Sequence, residues 1–213
     1  MMALMGLLPD SAAISADKLV FDGQNLQTLS ARDKRKIIGK DISMIFQDAM
    51  TSLNPSFTVQ MQIGEVLKTH LGLRGAAVKQ RILALLDLVE IPDAKNRRNV
   101  YPPQLSGGMG QRVMIAMMVS SGPRLLIADE PTSALDGLVA EQTLWVMDEM
   151  IAQHNTGLIF ISHDLGLVSS FCDRVLVMYG GQVMESCAAR DLQHASHPYT
   201  RGLLAASPQL GTA

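Results

Sequence analysis

Two adjacent carboxylates, Asp129 and Glu130, close the apolar run Leu125-Leu126-Ile127-Ala128. A strand ending in acids delivers them just beyond its carboxyl end, where open parallel sheets bind ligands. There the first acid can hold Mg2+ through water, while the second orients or deprotonates an attacking water. The same residues also fit a strand followed by a solvated acidic turn. A second candidate, Leu105-Ser106-Gly107-Gly108-Met109, precedes a helical run to Val119. Ser106 is placed to cap that helix, and the two glycines let the backbone approach a ligand closely. Outward-pointing amides and a macrodipole equivalent to about +0.5 charge make such a helix start a phosphate site. An ordinary serine N-cap has the same pattern, and Gly110 in the first turn costs about 1 kcal/mol relative to alanine, without local justification. A third candidate, His163, follows Leu158-Ile159-Phe160-Ile161-Ser162, where a satisfied structural histidine is the alternative to a chemical one.

These positions need strands and helices to hold them, and the rest of the chain supplies alternating runs that argue for an α/β fold. Residues 18–21 and Asp22-Gly23 read as strand and turn, Ser30 caps a short charged helix through Ile37, and 42–46 is a short apolar strand. From Asp48 to Pro103 strand signals vanish, while 59–71 and 76–89 carry apolar residues at helical spacing, closed by Ile91-Pro92. That block reads as a helical insertion. Beyond it, 125–128, 158–162 and 175–179 are β-rich, separated by helical stretches over 138–153 and 165–171. Because these runs are apolar continuously rather than alternately, parallel strands covered on both faces are expected. Tyr179-Gly180-Gly181-Gln182 reads as a hairpin into 183–185, and Met1 to Leu8 as the tail of a helix stopped by Pro9.

With 213 residues, 47% hydrophobic and 18% charged, the chain can bury the core of one domain. Lys and Arg number 18 against 20 Asp and Glu, a net charge of -2, so no global positive field draws in nucleic acid or anionic lipid. Cys172 and Cys187 show no CxxC or Cys/His spacing, which indicates neither a disulfide framework nor a zinc site and fits a reducing compartment. No apolar run approaches the roughly 20 residues of a membrane span, so a membrane role is expected to come through a partner. The N-terminal apolar stretch lacks the basic leading region of a signal peptide. His70, His154, His194 and His197 read as surface residues, and Met114, Met117 and Met118 as core filler.

Five elements in one order are present: Gln47 after a strand, LSGGM at 105–109, LLIADEP at 125–131, SALD at 133–136, and His163 after LIFIS. Together they resemble the ATP-binding cassette family over essentially the whole chain. The resemblance implies an α/β P-loop NTPase fold of the ABC type, a parallel-sheet core with an inserted helical subdomain. Residues 48–110 would form that subdomain with the signature motif at its end, 111–190 the catalytic core, and 191–213 the start of a C-terminal extension. It implies that Gln47 reaches Mg2+ and the attacking water, Asp129 holds Mg2+, Glu130 is the catalytic base, and His163 contacts the γ-phosphate of ATP. Ser106, Gly107, Gly108 and Met109 are expected to bind the ATP of a second domain packed head to tail, and Asp136 lies in the loop crossing between paired domains. A helix start and a metal would then flank the γ-phosphate, stabilising the transferring group electrostatically.

Three stretches resemble the peptide-importer branch: LSGGM with Gln111-Arg112, the run from Phe46 through Asn54-Pro55, and His197-Pro198-Tyr199-Thr200-Arg201-Gly202-Leu203-Leu204. Nickel importers share these features. The implied partners are a second ABC ATPase subunit, integral membrane permease subunits and, indirectly, a periplasmic or extracellular peptide-binding protein. The implied location is the cytoplasmic face of the inner membrane, and no nucleic acid partner is implied. The phosphate loop GxxxxGK[ST] does not occur in the 213 residues: Gly39-Lys40 is followed by Asp41, and Lys34 stands at the first glycine's place. The resemblance therefore implies that the family's opening strands and this loop are cut away. Such a chain is expected to hold ATP weakly by itself, show negligible ATPase, and lack a strand beside Leu125 to Ala128, exposing ladder groups and apolar surface. A reading from a different class is a non-catalytic interaction module that lends its signature motif to a full-length partner. A soluble ABC protein of translation or DNA repair is disfavoured, because tandem cassettes, a coiled coil and a basic segment are all missing.

Overall fold

Asp22 and Gly23 both adopt positive φ, at 49° and 76°, and so form the two-residue turn that joins strands β1 (Val20–Phe21) and β2 (Gln24–Asn25) antiparallel. The computed structural model describes the chain except Asp10, Ala134, Asp136 and 208–213, and omits the side chains of Met150 and His154. Helix α1 (Ala31–Ile37) starts at Ser30, whose hydroxyl accepts from the Asp33 amide and donates to the Asp33 carboxylate. Met1 to Leu8 does not form the expected helix end: irregular turn bonds, from Met5 N to Met1 O, Gly6 N to Ala3 O and Leu7 N to Met2 O, follow no single helical spacing.

Two compact units emerge, Met1–Ile159 and Phe160–Ala213. In the first, β3 (Ile42–Ile45) is buried at every position, and it is followed by α2 (Ala49–Ser52), α3 (Val59–Leu71), α4 (Ala76–Leu88) and α5 (Ala94–Arg97). Thr58 caps α3, Gly72 ends it in the left-handed conformation, and Val59, Ile63 and Leu67 line its buried face four residues apart. That face packs on α4, where Val78, Ile82, Leu85 and Leu86 are buried. Burying a side chain such as Ile63 contributes about 1.5–3 kcal/mol, whereas an exposed ion pair such as Asp33–Lys36 is screened by solvent and contributes little. Apolar packing therefore holds the helical block. Gln62, buried within it, accepts from the Asn54 amide and donates to the Asn54 and Phe57 carbonyls, closing the loop between α2 and α3.

Helix α6 (Gly107–Val119) returns the chain to the sheet through β4 (Leu125–Asp129), which pairs parallel with β3 in the register Ile42↔Leu125 to Ile45↔Ala128. After α7 (Gly137–His154), β5 (Gly157–Ile161) begins when Gly157 N donates to Arg124 O and the Thr156 hydroxyl donates to Pro123 O. The strand order is β3-β4-β5. This corrects the expectation of a gap beside Leu125 to Ala128: β4 is the middle strand, bonded on both edges, with Leu126, Ile127 and Ala128 almost wholly buried.

The second unit holds α8 (Leu165–Phe171), β6 (Arg174–Tyr179), β7 (Gln182–Ala188) and α9 (Pro198–Ala206). Here the sequence reading fails, since 175–179 is not a parallel strand covered on both faces. β6 pairs antiparallel with β7, burying Val175 and Val177 while Leu176 and Met178 are 56% exposed. The covered side packs with Val168, Ala189 and Leu192, against which Tyr199, Leu203 and Leu204 of α9 also rest. Both cysteines are free, and burial pushes both thiols up.

Glu185 anchors α9. Its Oε1 accepts from Ser196 N, Ser196 Oγ and His197 N at 2.8, 3.2 and 3.4 Å, while His197 Nδ1 accepts from Tyr199 N. His197 thus caps a helix instead of standing idle on the surface. The Thr200 hydroxyl, near Glu185 but outside hydrogen-bond geometry, and the Ser196 amide hold this carboxyl below its ordinary value of 4.5. A depressed carboxylate contributes stability that is complete above the unfolded pKa and is lost as pH falls through the folded one. Protection of the α9 amides from hydrogen exchange is therefore expected to be level above about pH 5 and to decline below about pH 4.5. Glu185→Gln should flatten that decline, and an unchanged acid profile in this variant would refute the anchor.

Candidate functional site

The chain leaves β4 at Asp129 and turns at Glu130, whose φ of 47° is left-handed, a conformation that costs a non-glycine residue about 1–3 kcal/mol. Two bonds hold this turn, from the Ser133 amide and the Ser133 hydroxyl to the Glu130 carbonyl at 3.2 and 3.1 Å. A third acts from outside the turn. Gln111 Nε2, on α6 and nearly fully buried, donates to the Pro131 carbonyl at 2.8 Å. The backbone immediately after the two carboxylates is thereby tied to the helix that begins at Ser106.

That helix starts as its sequence implies, with Ser106 Oγ accepting from Met109 N at 3.3 Å. Ser106 and Gly107 are exposed at this helix start, where the Gly107 and Gly108 amides have no acceptor within the helix. The two glycines differ. A Cβ on Gly107 would meet nothing within 4 Å, leaving room for a ligand, whereas one on Gly108 would lie 2.9 Å from Val139 Cγ1 of α7. Close approach between two helices explains Gly108, while nothing around Gly107 demands a glycine.

Gln47 lies exposed in the bend after β3, directly before Asp48, which caps α2 through the Met50 and Thr51 amides. The first unit therefore joins the Gln47 segment, the Ser106 helix start and the Asp129-Glu130 exit through α2 against α6 and the Gln111 bond. His163 belongs to the second unit and is exposed, followed by Asp164, which caps α8 through Leu167 N. Asp136 lies outside the described residues. His70 departs from its surface reading: it is half-buried, with Nε2 3.2 Å from where a Cβ on Gly39 would stand, and burial lowers its pKa. Gln111 was read in the sequence only as a branch marker beside Arg112 and not as a positioning residue, although an uncharged polar residue heading an apolar helical run was a visible signal.

Among the described residues no group of three or more His, Cys, Asp or Glu side chains is placed to hold a metal. Two carboxylates at a strand exit suit Mg2+, which takes few protein ligands and completes its shell with water and phosphate oxygens. The donor set therefore fits Mg2+ carried with a nucleotide.

Residues 1–133 match the family described as ABC transporter. The dipeptide transport ATP-binding protein DppD of Haemophilus influenzae is 49% identical over 98% of this chain and 63% of its own length. DppD of Escherichia coli is 47% identical, with 98% and 64% covered, and the oligopeptide transport ATP-binding protein OppD of Salmonella typhimurium is 46% identical, with 98% and 62% covered. The chain thus spans a little under two thirds of these relatives. Among solved structures, the dimeric post-hydrolysis state of the ATP-binding cassette MJ0796 bound to ADP and Pi superposes with a TM-score of 0.72 at 26% identity, covering 80% of this chain and 72% of that one.

Two substitutions test how the site is tied together. Gln111→Leu leaves the Pro131 carbonyl unpaired, and a loss of about 1–3 kcal/mol in chemical denaturation is expected. Gly108→Ala forces α6 from α7, with a loss of about 1–3 kcal/mol by the same measurement. Wild-type stability in both variants would show that neither contact holds the site.

Proposed function

The chain belongs to the ABC transporter family and has the fold of its ATP-binding cassettes, and on that premise we propose that it is an ATP-binding and ATP-hydrolysing subunit of a peptide importer. The observation that carries this reading is the tie between the acidic strand exit and the open helix start, made by Gln111. Phosphoryl transfer is mostly positioning and charge stabilisation, so holding the carboxylate pair in fixed relation to α6 would link this chain's own phosphate site to the helix start it offers a partner's ATP.

In this reading Asp129 holds Mg2+ through water, and Glu130 accepts the proton of the attacking water. Gln47 orients that water from its exposed bend, and His163 contacts the γ-phosphate. When bound, Mg2+ supplies neutralisation of phosphate charge. Ser106, Gly107, Gly108 and Met109 offer their helix start to the ATP held by a second ATPase subunit, with Asp136 in the crossing loop between the two. Integral membrane permease subunits carry the peptide, which a binding protein delivers from outside, and the chain works at the cytoplasmic face of the membrane. The kinship with dipeptide and oligopeptide transport proteins supports the substrate class. No described helix is long and apolar enough to cross a membrane, so in this reading permease subunits provide the pathway.

A second reading has its own support. The α6 start is capped by Ser106 and exposed at Ser106 and Gly107. The chain then lends its signature helix to a partner's ATP and performs no hydrolysis through Glu130.

Coexpression with a full-length relative cassette and its permease separates these readings. Under the first, Glu130→Gln lowers ATP turnover at this chain's site about 100-fold or more, the scale of a lost general base. Under the second, Glu130→Gln leaves turnover unchanged while Ser106→Arg abolishes the partner's contribution. Turnover indifferent to both substitutions would overturn the family role for this chain.

A further inference from the structure

A glycine inside the first turn of a helix is unfavourable by itself, yet Gly110 occupies that position in α6 and is buried there. A Cβ at this position would lie 2.7 Å from Met50 Sδ, 3.8 Å from Met50 Cγ and 4.0 Å from Ala49 Cβ. Both neighbours belong to α2, the single turn that Asp48 caps immediately after Gln47. Ala49 is buried and Met50 is 36% exposed, so the thioether reaches inward from the rim of the contact. The missing side chain at 110 is a notch, and Met50 fills it.

We propose that Met50, seated in the Gly110 notch, positions the Gln47 bend against the start of α6, which makes Met50 and Gly110 positioning residues for ATP hydrolysis. The proposal rests on the ATPase reading above. Its leverage is short. From Met50 the chain leads through Asp48 to Gln47, and from Gly110 the helix leads back one turn to Ser106, whose carbonyl accepts from Gly110 N at 2.8 Å. A displacement of the helix start reaches Gln47 through this contact and bypasses the long covalent route through α3, α4 and α5. Methionine is unbranched and adaptable, so filling the notch evicts it with little strain. The contact accordingly sets position more than stability. It also explains a residue that helix propensity disfavours.

The test uses the full chain assembled with a partner cassette and permease, unsubstituted and carrying Gly110→Ala, Met50→Ala or both. Gly202→Ala is the control, because a Cβ there meets nothing within 4 Å. Each single variant is expected to speed hydrogen exchange of amides 47–53 and to lower kcat about tenfold, with KM held within roughly twofold and the melting temperature unchanged. The double variant should be no worse than either single one, since both remove the same contact. Unaltered exchange at 47–53 in Gly110→Ala overturns the proposal, as does a double variant whose effects multiply. A fall in melting temperature with equal loosening across α6 also overturns it, because the role is then structural alone. If the unsubstituted assembly hydrolyses no ATP, the ATPase reading falls, and the exchange data decide the contact: non-additive loosening confined to 47–53 upholds it, and anything else removes it.

Discussion

One buried hydrogen bond, from the Gln111 amide to the Pro131 carbonyl, ties the strand exit at Asp129-Glu130 to α6. Glu130 stands in a backbone conformation that glutamate disfavours, and a strained turn persists only when its surroundings over-determine it. Ser133 restrains the turn from within, and Gln111 restrains it from a neighbouring helix. Because that helix also carries the exposed Ser106 cap, the acids and the amide cluster share one rigid reference. Removing the bond would leave each element folded but free to drift.

The helix bearing Gln111 is crowded on several sides. Gly108 admits α7, Gly110 admits Met50 of α2, and Val113, Met114, Ile115 and Ala116 fill the core. Ser106 and Gly107 at its start are exposed, while Met109, Arg112, Met117 and Met118 are half-buried. Such an arrangement suits a ligand that arrives from outside and must find amides already aimed, since preorganised dipoles need no reorientation when charge appears.

Much of this was legible in the sequence, and the failures share a cause. The Ser106 cap, the strand run 125–128, the helical block between Gln47 and Leu105, and the capped helix at Ser30 follow local rules of periodicity and capping, so they could be read residue by residue. Sheet membership could not. An apolar run such as 175–179 looks the same whether a strand is covered on both faces or belongs to a two-stranded ribbon, and only its pairing with 182–188 reveals the difference. The neighbours of 125–128 were misjudged for the same reason, because strand order is a long-range property. Gly110 and Glu185 were opaque in another way: their reasons lie in Met50, and in Ser196 and His197, at distances along the chain that no local pattern spans.

The left-handed backbone at Glu130 sets two selective pressures against each other. Glycine would adopt this φ without steric cost, so selection on folding alone would drift the codon toward it. A carboxylate there is tolerated at the fold's expense, and directed evolution for heat tolerance, run blind to turnover, would favour glycine at Glu130 as at Glu90 and Asp93, which share its conformation.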